Sequence, residues 1–488
     1  MSNQSSETQV ETTAKKRVLA TKKSQWIKFS IITLLYVLFV IWDNNYWLLF
    51  GIPLIFDIYI SKVIPWDGWK KSENKVLKKI ADWVDAIVFA LIAVYFINIF
   101  IFQNYQIPSS SLEKTLLVGD FLFVSKVSYG PRVPNTPLAF PLTHHTLPII
   151  NTKSYSDWPS WDYKRLKGFG TVKRNDIVVF NFPAGDTVAV NVPNPDYYDL
   201  VYHNGRERVN SDRGVFGKVV YRPVDRRENF VKRCVGMPGD TIRIIDNKVY
   251  IDNVEQPTPK GVQYNYFVET RGQSLTEKQF QKLGVSKDDR QLLNHFMNVQ
   301  PFFEALGITK NEYGNYNPVY RLPLTQEAYD FLKRSDWFTS IRIESDRILG
   351  NSSPTYPYSY NTGWTRDNFG PLWIPAAGET ILLTDENIAL YSRCIVNYEG
   401  NVLRKDGNKV YLNGVLSNSY TFKYDYYFMM GDNRHNSADS RAWGFVPEDH
   451  IVGKPILIWM SLDKDKGLFG GKIRWNRLFR MVDSIDKE

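Results

Sequence analysis

Three clusters of residues in this chain combine hydroxyls, an amine and paired charges at spacings that could support hydrolytic chemistry. The first is Tyr105-Gln-Ile-Pro-Ser-Ser-Ser111-Leu-Glu-Lys-Thr-Leu-Leu-Val-Gly-Asp120. Three adjacent hydroxyls stand there between apolar residues, and composition does not say which of them would attack. The second is Phe230-Val-Lys232-Arg-Cys-Val-Gly-Met-Pro-Gly-Asp240, a lysine among apolar residues just before a turn. Desolvation in such a setting lowers an amine from its ordinary pKa of ~10.4 towards neutrality. Without that shift roughly one amine in a few thousand is uncharged at pH 7, too few for a general base. The third cluster, Met429-Met-Gly-Asp432-Asn-Arg-His-Asn-Ser437-Ala-Asp439-Ser-Arg441, packs acids, amides and cations into one loop after an apolar strand. Such a loop positions something, or is a plain structural turn.

The elements that would carry these clusters begin with three apolar stretches, Trp26 to Trp42, Tyr46 to Ile64 and Val84 to Phe102. Each approaches the ~20 residues that cross a ~30 Å hydrocarbon core. Asp43, Asn44 and Asn45 break the first two, so residues 26–64 read as a hairpin of two spans, or as a re-entrant or surface-lying pair; 84–102 reads as a further span. Asp57 is the awkward residue, because a carboxylate at membrane depth is costly unless it is partnered. Lys15, Lys16, Arg17, Lys22 and Lys23 precede the first stretch, and Lys70, Lys71, Lys75, Lys78 and Lys79 precede the last. This pattern puts residues 1–25 and 65–83 in the cytoplasm and everything after Phe102 outside.

Beyond Asn104 the texture is that of a mainly β protein of antiparallel sheets. Ile177 to Phe182, Thr241 to Ile245, Lys248 to Ile251, Thr380 to Thr384 and Lys409 to Leu412 read as strands, and the Pro-rich 131–159 as a long loop. Between Thr276 and Arg334 the pattern turns helical, with a capping-box pair at Thr276 and Gln279, a stop at Gly284 and a second helix over 325–334. We therefore expect a β domain over 103–257 and 375–488, with an inserted mixed α/β lobe over 258–374. Asn247-Lys-Val-Tyr and Asn408-Lys-Val-Tyr echo one another as two similar hairpins would.

Composition agrees with a large folded core plus membrane segments: 488 residues, 43% hydrophobic and 15% aromatic, with 25 Pro and 30 Gly for turns. The net charge of +9 is modest for this length, and the placement of the basic clusters beside the apolar stretches is a topology pattern and not a nucleic-acid footprint. Cys234 and Cys394 are too few for a disulfide framework; one bridge or two buried thiols are both compatible with the sequence. His144 and His145 read as loop decoration, since neighbouring side chains diverge and no cysteine or carboxylate cluster accompanies them. His435 reads as a loop-surface residue.

Taken together, the three clusters resemble the boxes of the bacterial type I signal peptidases, in order, with the first directly after an apolar stretch. Gly119-Asp120 and Arg174-Asn-Asp-Ile-Val-Val-Phe-Asn-Phe-Pro183 match further boxes. The resemblance implies that Ser111 is the nucleophile, with Leu112 in place of the family's Met, and that Lys232 is the general base. It implies that Ser109 completes an oxyanion hole with the backbone N–H of the nucleophile, that Ser437 orients the amine, and that Asp439 and Arg441 form a supporting ion pair. Arg233 and Asp432 fall on motif positions as structural residues. Glu113 and Lys114 depart from the family at the turn after the nucleophile, where Pro is common at the second position.

The implied activity is removal of signal peptides from secreted preproteins, through an acyl-enzyme and with neither metal nor organic cofactor. Its setting would be a bacterial cytoplasmic membrane, among lipid and near the Sec translocon. Ser111 lies 9 residues past Phe102, and a chain spans at most ~3.3 to 3.6 Å per residue. The nucleophile is thereby bounded within roughly 30 Å of the span's end. Tyr105, Ile107, Leu116 and Val231 are the candidate walls of shallow substrate pockets, with the substrate added as a strand beside Gln106 to Ser109. Trp158, Trp161 and Phe169 are expected to dip into the headgroups. The self-cleaving repressor proteases share a Ser/Lys core, but they are soluble and carry a DNA-binding module. A catalytically dead membrane receptor is the rival from another class.

Overall fold

The computed structural model describes residues 21–486 except 67, 69–73, 151, 297–298, 350–353 and 359. Of the basic residues in the topology pattern, Lys15, Lys16, Arg17, Lys70 and Lys71 lie outside the described residues. The chain divides into two compact units, Met1–Asn98 and Ile99–Glu488.

In the first unit, helix Lys23–Asp43 ends where Asn44 turns left-handed (φ 51°) and its N–H bonds the Ile41 carbonyl. This is the polar break seen in the sequence. The sequence leaves the second apolar stretch either a full span or part of a re-entrant or surface-lying pair. The stretch forms a helix over Tyr46–Ser61, with a 3-10 start and a π-type last turn. At 1.5 Å per residue such a helix reaches about 24 Å, short of a ~30 Å core. Asp57 explains where it stops. Its carboxylate accepts from Ser61 Oγ (2.5 Å), the Val63 and Ile64 N–H groups (2.8 and 3.2 Å) and Trp66 Nε1 (2.9 Å), tying down the chain that leaves the helix. The third stretch begins earlier and ends sooner than expected, as helix Lys75–Phe100, because Phe102 already belongs to a strand. Among the described residues two helices, Lys23–Asp43 and Lys75–Phe100, are long and apolar enough to cross a membrane.

Among the described residues the strands of the second unit pair antiparallel, and a lone parallel bridge joins Gln263 to Asn433. The main sheet runs in the order Phe102–Gln106, Asp120–Ser125, Ile451–Ser461, Ile177–Asn181, Asn229–Gly236, Tyr426–Met430, Val446–Pro447, with Arg480–Met481 also on Ile451–Ser461. A second sheet orders Phe369–Trp373, Thr241–Ile245, Lys248–Ile251 and Val254–Glu255. The two share a core in which Val235, Ile242, Phe369 and Phe428 pack together. The echoed Asn-Lys-Val-Tyr segments form two hairpins, Thr241–Ile245 with Lys248–Ile251 and Leu403–Asp406 with Lys409–Leu412. Cys234 and Cys394 are both buried and unbridged.

The lobe is a four-stranded sheet, Gln291–Leu292, Val319–Thr325, Gln263–Thr270, Phe338–Ile343. Strand alternation covers both of its faces. Tyr266 and Val268 pack with Phe280, Leu283 and Leu332 of helices Glu277–Leu283 and Gln326–Lys333, while Phe267 packs with Phe303 of helix Val299–Ala305. The Thr276–Gln279 capping box is formed, and Thr325 caps its helix through the Ala328 N–H.

Candidate active site

Strand Asn229–Gly236 holds Lys232. On one side it pairs with Ile177–Asn181 from Asn229 to Arg233, and on the other it meets Tyr426–Met430 only from Arg233 onward. The edge beside Phe230, Val231 and Lys232 is therefore open towards the loop that follows Met430. Ser111 lies in a 3-10 turn, Ser110–Leu112, that starts four residues beyond strand Phe102–Gln106. Leu112 and Leu116 anchor this turn in an apolar cluster with Ile107, Leu122 and Val179.

The turn sets the Ser111 hydroxyl 2.8 Å from the Lys232 amine. Both residues are buried, at 7% and 5% exposure. Burial pulls the lysine down to about 8, against the opposing pull of Asp439 and Asp432. A Lys near 8 is neutral in an appreciable fraction at physiological pH, so it can take a proton from a hydroxyl in contact with it.

The loop after Met430 fastens the turn from behind. The Asn433 N–H bonds the Ser111 carbonyl (3.0 Å), its side-chain amide bonds the Ser110 carbonyl (3.3 Å), and Thr115 Oγ1 donates to Asp432 Oδ2 (3.0 Å). Asp432 is itself gripped by Arg233, Nε to Oδ1 at 2.8 Å and Nη2 to Oδ2 at 2.7 Å; Arg233 also bonds Asp486. The residue next to the lysine is thus joined through Asp432 and Thr115 to the Ser111 turn. Thr115 and Asn433 carried no signal in the sequence, because one acts through an ordinary hydroxyl and the other largely through its backbone.

The remaining sequence-predicted residues fall as follows. Ser109 is exposed, precedes the turn in extended conformation, and does not spend its hydroxyl on capping it. Asp439 and Arg441 form a buried bidentate pair (2.9 and 2.8 Å), and Asp439 also accepts the Gly431 N–H. Ser437 is half-buried, and its hydroxyl donates to the Ala438 carbonyl at 3.4 Å and not to Lys232. It stands close by all the same. A Cβ on Gly431 would come within 2.2 Å of the Ser437 hydroxyl and 2.7 Å of the Ser111 carbonyl, so only glycine lets these segments meet. Tyr105, Ile107, Leu116 and Val231 fall in one cluster; Ile107 and Leu116 are buried, while Tyr105 and Val231 are half-buried.

His435 is corrected from a surface residue to a buried one. Its Nδ1 accepts the Asn265 N–H, and its Nε2 lies 3.2 Å from Asp367 and 3.1 Å from Asn247 Oδ1. Burial lowers its pKa. It pins the loop to the lobe. His144 bonds the Arg227 carbonyl and His145 bonds Glu228 and Thr146. Among the described residues no group of His, Cys, Asp and Glu has the geometry of a metal site.

The chain is similar to known proteins of one family. The family described as "Signal peptidase, peptidase S26" matches residues 80–302 and 376–460. The chain is 27% identical to Signal peptidase I of Buchnera aphidicola subsp. Acyrthosiphon pisum over 84% of its own length and 83% of the relative's. It is 21% identical to Signal peptidase I of Haemophilus influenzae, covering 85% and 79% of the two chains, and 22% identical to that of Helicobacter pylori 26695, covering 83% and 93%. The family match makes the chain a serine endopeptidase by class: it belongs to the signal peptidase family, peptidase S26.

Proposed function

We propose that this chain removes signal peptides from secretory preproteins at the outer face of a bacterial cytoplasmic membrane, with Ser111 as nucleophile and Lys232 as general base. The 2.8 Å contact between these two buried groups carries the reading. Neutral Lys232 takes the Ser111 proton as the oxygen attacks the scissile carbonyl, and the oxyanion faces the Ser111 N–H and the Ser109 hydroxyl. The amine then gives its proton to the leaving nitrogen; water, deprotonated by the same amine, attacks the acyl-enzyme, and the amine returns that proton to Ser111 Oγ as the ester bond breaks. Ser437 orients the amine once substrate is bound, and the Asp439–Arg441 pair holds that loop in place.

An extended substrate fits the open edge of Phe102–Gln106, the end strand of its sheet, whose chain leads on to Ser109. Tyr105 and Val231, with Ile107 and Leu116 behind them, wall small pockets for the residues before the cut.

Placement in the membrane rests on helices Lys23–Asp43 and Lys75–Phe100, whose side chains stand exposed as in a lipid-facing span, Leu34 at 61% and Phe89 at 74%. The catalytic unit follows the last span directly. Its side is therefore opposite to the basic 62–79 segment whether or not Tyr46–Ser61 crosses, and a basic segment is retained inside. Trp158, Trp161 and Phe169, exposed at 81%, 49% and 91%, supply further contact with lipid. The site is thus set to meet preproteins as they leave the Sec translocon.

The test is incubation of the detergent-solubilised protein with labelled preproteins, followed by N-terminal sequencing of the product. A single cut after small residues at the first and third positions is expected. No cut in any of a panel of signal peptides overturns the reading.

A further inference from the structure

The lobe touches the catalytic turn on both sides of Ser111. On one side, Ser110 Oγ donates to Asp289 Oδ1 at 3.0 Å. Ser286 donates to the other carboxylate oxygen of Asp289 at 2.6 Å, which fixes the direction of the group. On the other side, Lys114 takes a left-handed backbone (φ 80°) and its amine reaches the Gly284 carbonyl. Gly284 is the left-handed C-cap (φ 65°) of helix Glu277–Leu283, so that carbonyl is held by the end of a packed helix.

The same lobe grips the loop behind the turn. The Gln263 N–H bonds the Asp432 carbonyl (2.8 Å), and the side-chain amides of Asn265 and Asn436 bond one another reciprocally (3.1 and 3.0 Å). The same lobe therefore contacts both the Ser111 turn and the loop that bonds this turn, while Lys232 stands on strand Asn229–Gly236 of the main sheet.

We propose that Asp289 is a positioning residue for the cleavage reaction, holding the Ser111 turn through Ser110 so that the inserted lobe is part of the catalytic machinery. The proposal rests on the reading of Ser111 as nucleophile. Asp289 touches neither substrate nor the reacting atoms in this scheme; it acts through the backbone that Ser110 shares with Ser111. Ser110 and Asp289 are both half-buried, and the Glu113 carboxyl is pushed up to about 7 chiefly by burial and also by Asp289.

The experiment measures kcat and KM in the full-length Ser110→Ala, Asp289→Ala, Asp289→Asn and Ser110→Ala/Asp289→Ala variants. Each alanine variant is expected to lose about tenfold in kcat with KM unchanged, because a small misplacement of a reacting group costs one to two orders of magnitude. Asp289→Asn keeps an acceptor oxygen and should stay near wild type. The double variant should be no worse than either single one, the sign that both act through one bond. Wild-type kcat in Asp289→Ala, or losses that multiply in the double variant, overturns the proposal. Amide hydrogen exchange over 110–116 reads the same contact without substrate: faster in both alanine variants, unchanged in Asp289→Asn. Unchanged exchange in Asp289→Ala overturns the positioning role on its own, whereas wild-type protein that cleaves nothing overturns only the functional reading.

Discussion

The Lys232 amine and the Ser111 hydroxyl lie 2.8 Å apart in a site with almost no access to water, on a strand and a turn joined through Arg233, Asp432 and Thr115. At that separation a charged amine donates to the hydroxyl, whereas a neutral amine can accept from it.

Activity should therefore depend on pH through the lysine. Burial lowers Lys232 to about 8, and the attacking form needs it neutral. We expect kcat/KM to rise with pH and to level off above an apparent pKa of about 8. A profile with no ionisation between pH 7 and 9 would speak against Lys232 as the base.

The same burial should cost stability. In the unfolded chain the lysine titrates near 10.5, in the folded one near 8, so between these values the unfolded chain binds more protons and stability rises with pH. Below about 8 the full penalty applies, about 3 kcal/mol. Lys232→Met should therefore melt higher than wild type at pH 7, with the gap closing as pH rises towards 10. Equal melting temperatures at pH 7 would contradict this.

Breaking the frame should separate from breaking the chemistry. Asp432 is fully buried against Arg233, so Asp432→Ala leaves a buried guanidinium short of its partner and should destabilise by about 3–5 kcal/mol. Ser437→Ala, at a half-buried site, should leave melting within about 0.5 kcal/mol of wild type while lowering kcat about tenfold. Denaturant titration of both variants beside their kinetics checks the pair of outcomes.

Topology is testable because the native thiols are silent. Cys234 and Cys394 are buried and unbridged, and burial raises both pKa values. In intact cells a membrane-impermeant maleimide should label Tyr313→Cys, at an 80% exposed position of the lobe, and should not label Lys62→Cys. The reverse pattern would invert the orientation.

Much of the fold was legible where local signals are strong. Strands Thr241–Ile245, Lys248–Ile251 and Lys409–Leu412 coincide with their alternating β-branched runs, the Thr276–Gln279 capping box starts the helix it announced, and the helix read over 325–334 forms as Gln326–Lys333. Thr384 misled: read as the end of a strand, it caps helix Asp385–Arg393 through the Asn387 N–H, and the strand stops at Leu382. The three helices between Tyr197 and Phe216 are 8, 6 and 4 residues long and went unseen, since their caps at Asp196 and Asp212 lack a long periodic run behind them.

At the site, residue types showed that hydrolysis by a serine and a lysine was possible, and the family resemblance singled out Ser111 among three serines. The tertiary partners were not legible. His435 looked like a surface residue because the lobe strand that buries it lies far away in sequence, and Asp289 sits 178 residues beyond Ser111 with no motif around it.

The most direct test of the central claim is cleavage of a preprotein by wild type, Ser111→Ala and Lys232→Met in proteoliposomes, with melting curves recorded on the same samples. The account predicts one cut by wild type and none by either variant, both variants remaining folded and membrane-bound. Cleavage at the wild-type rate by a folded Ser111→Ala or Lys232→Met protein would contradict it.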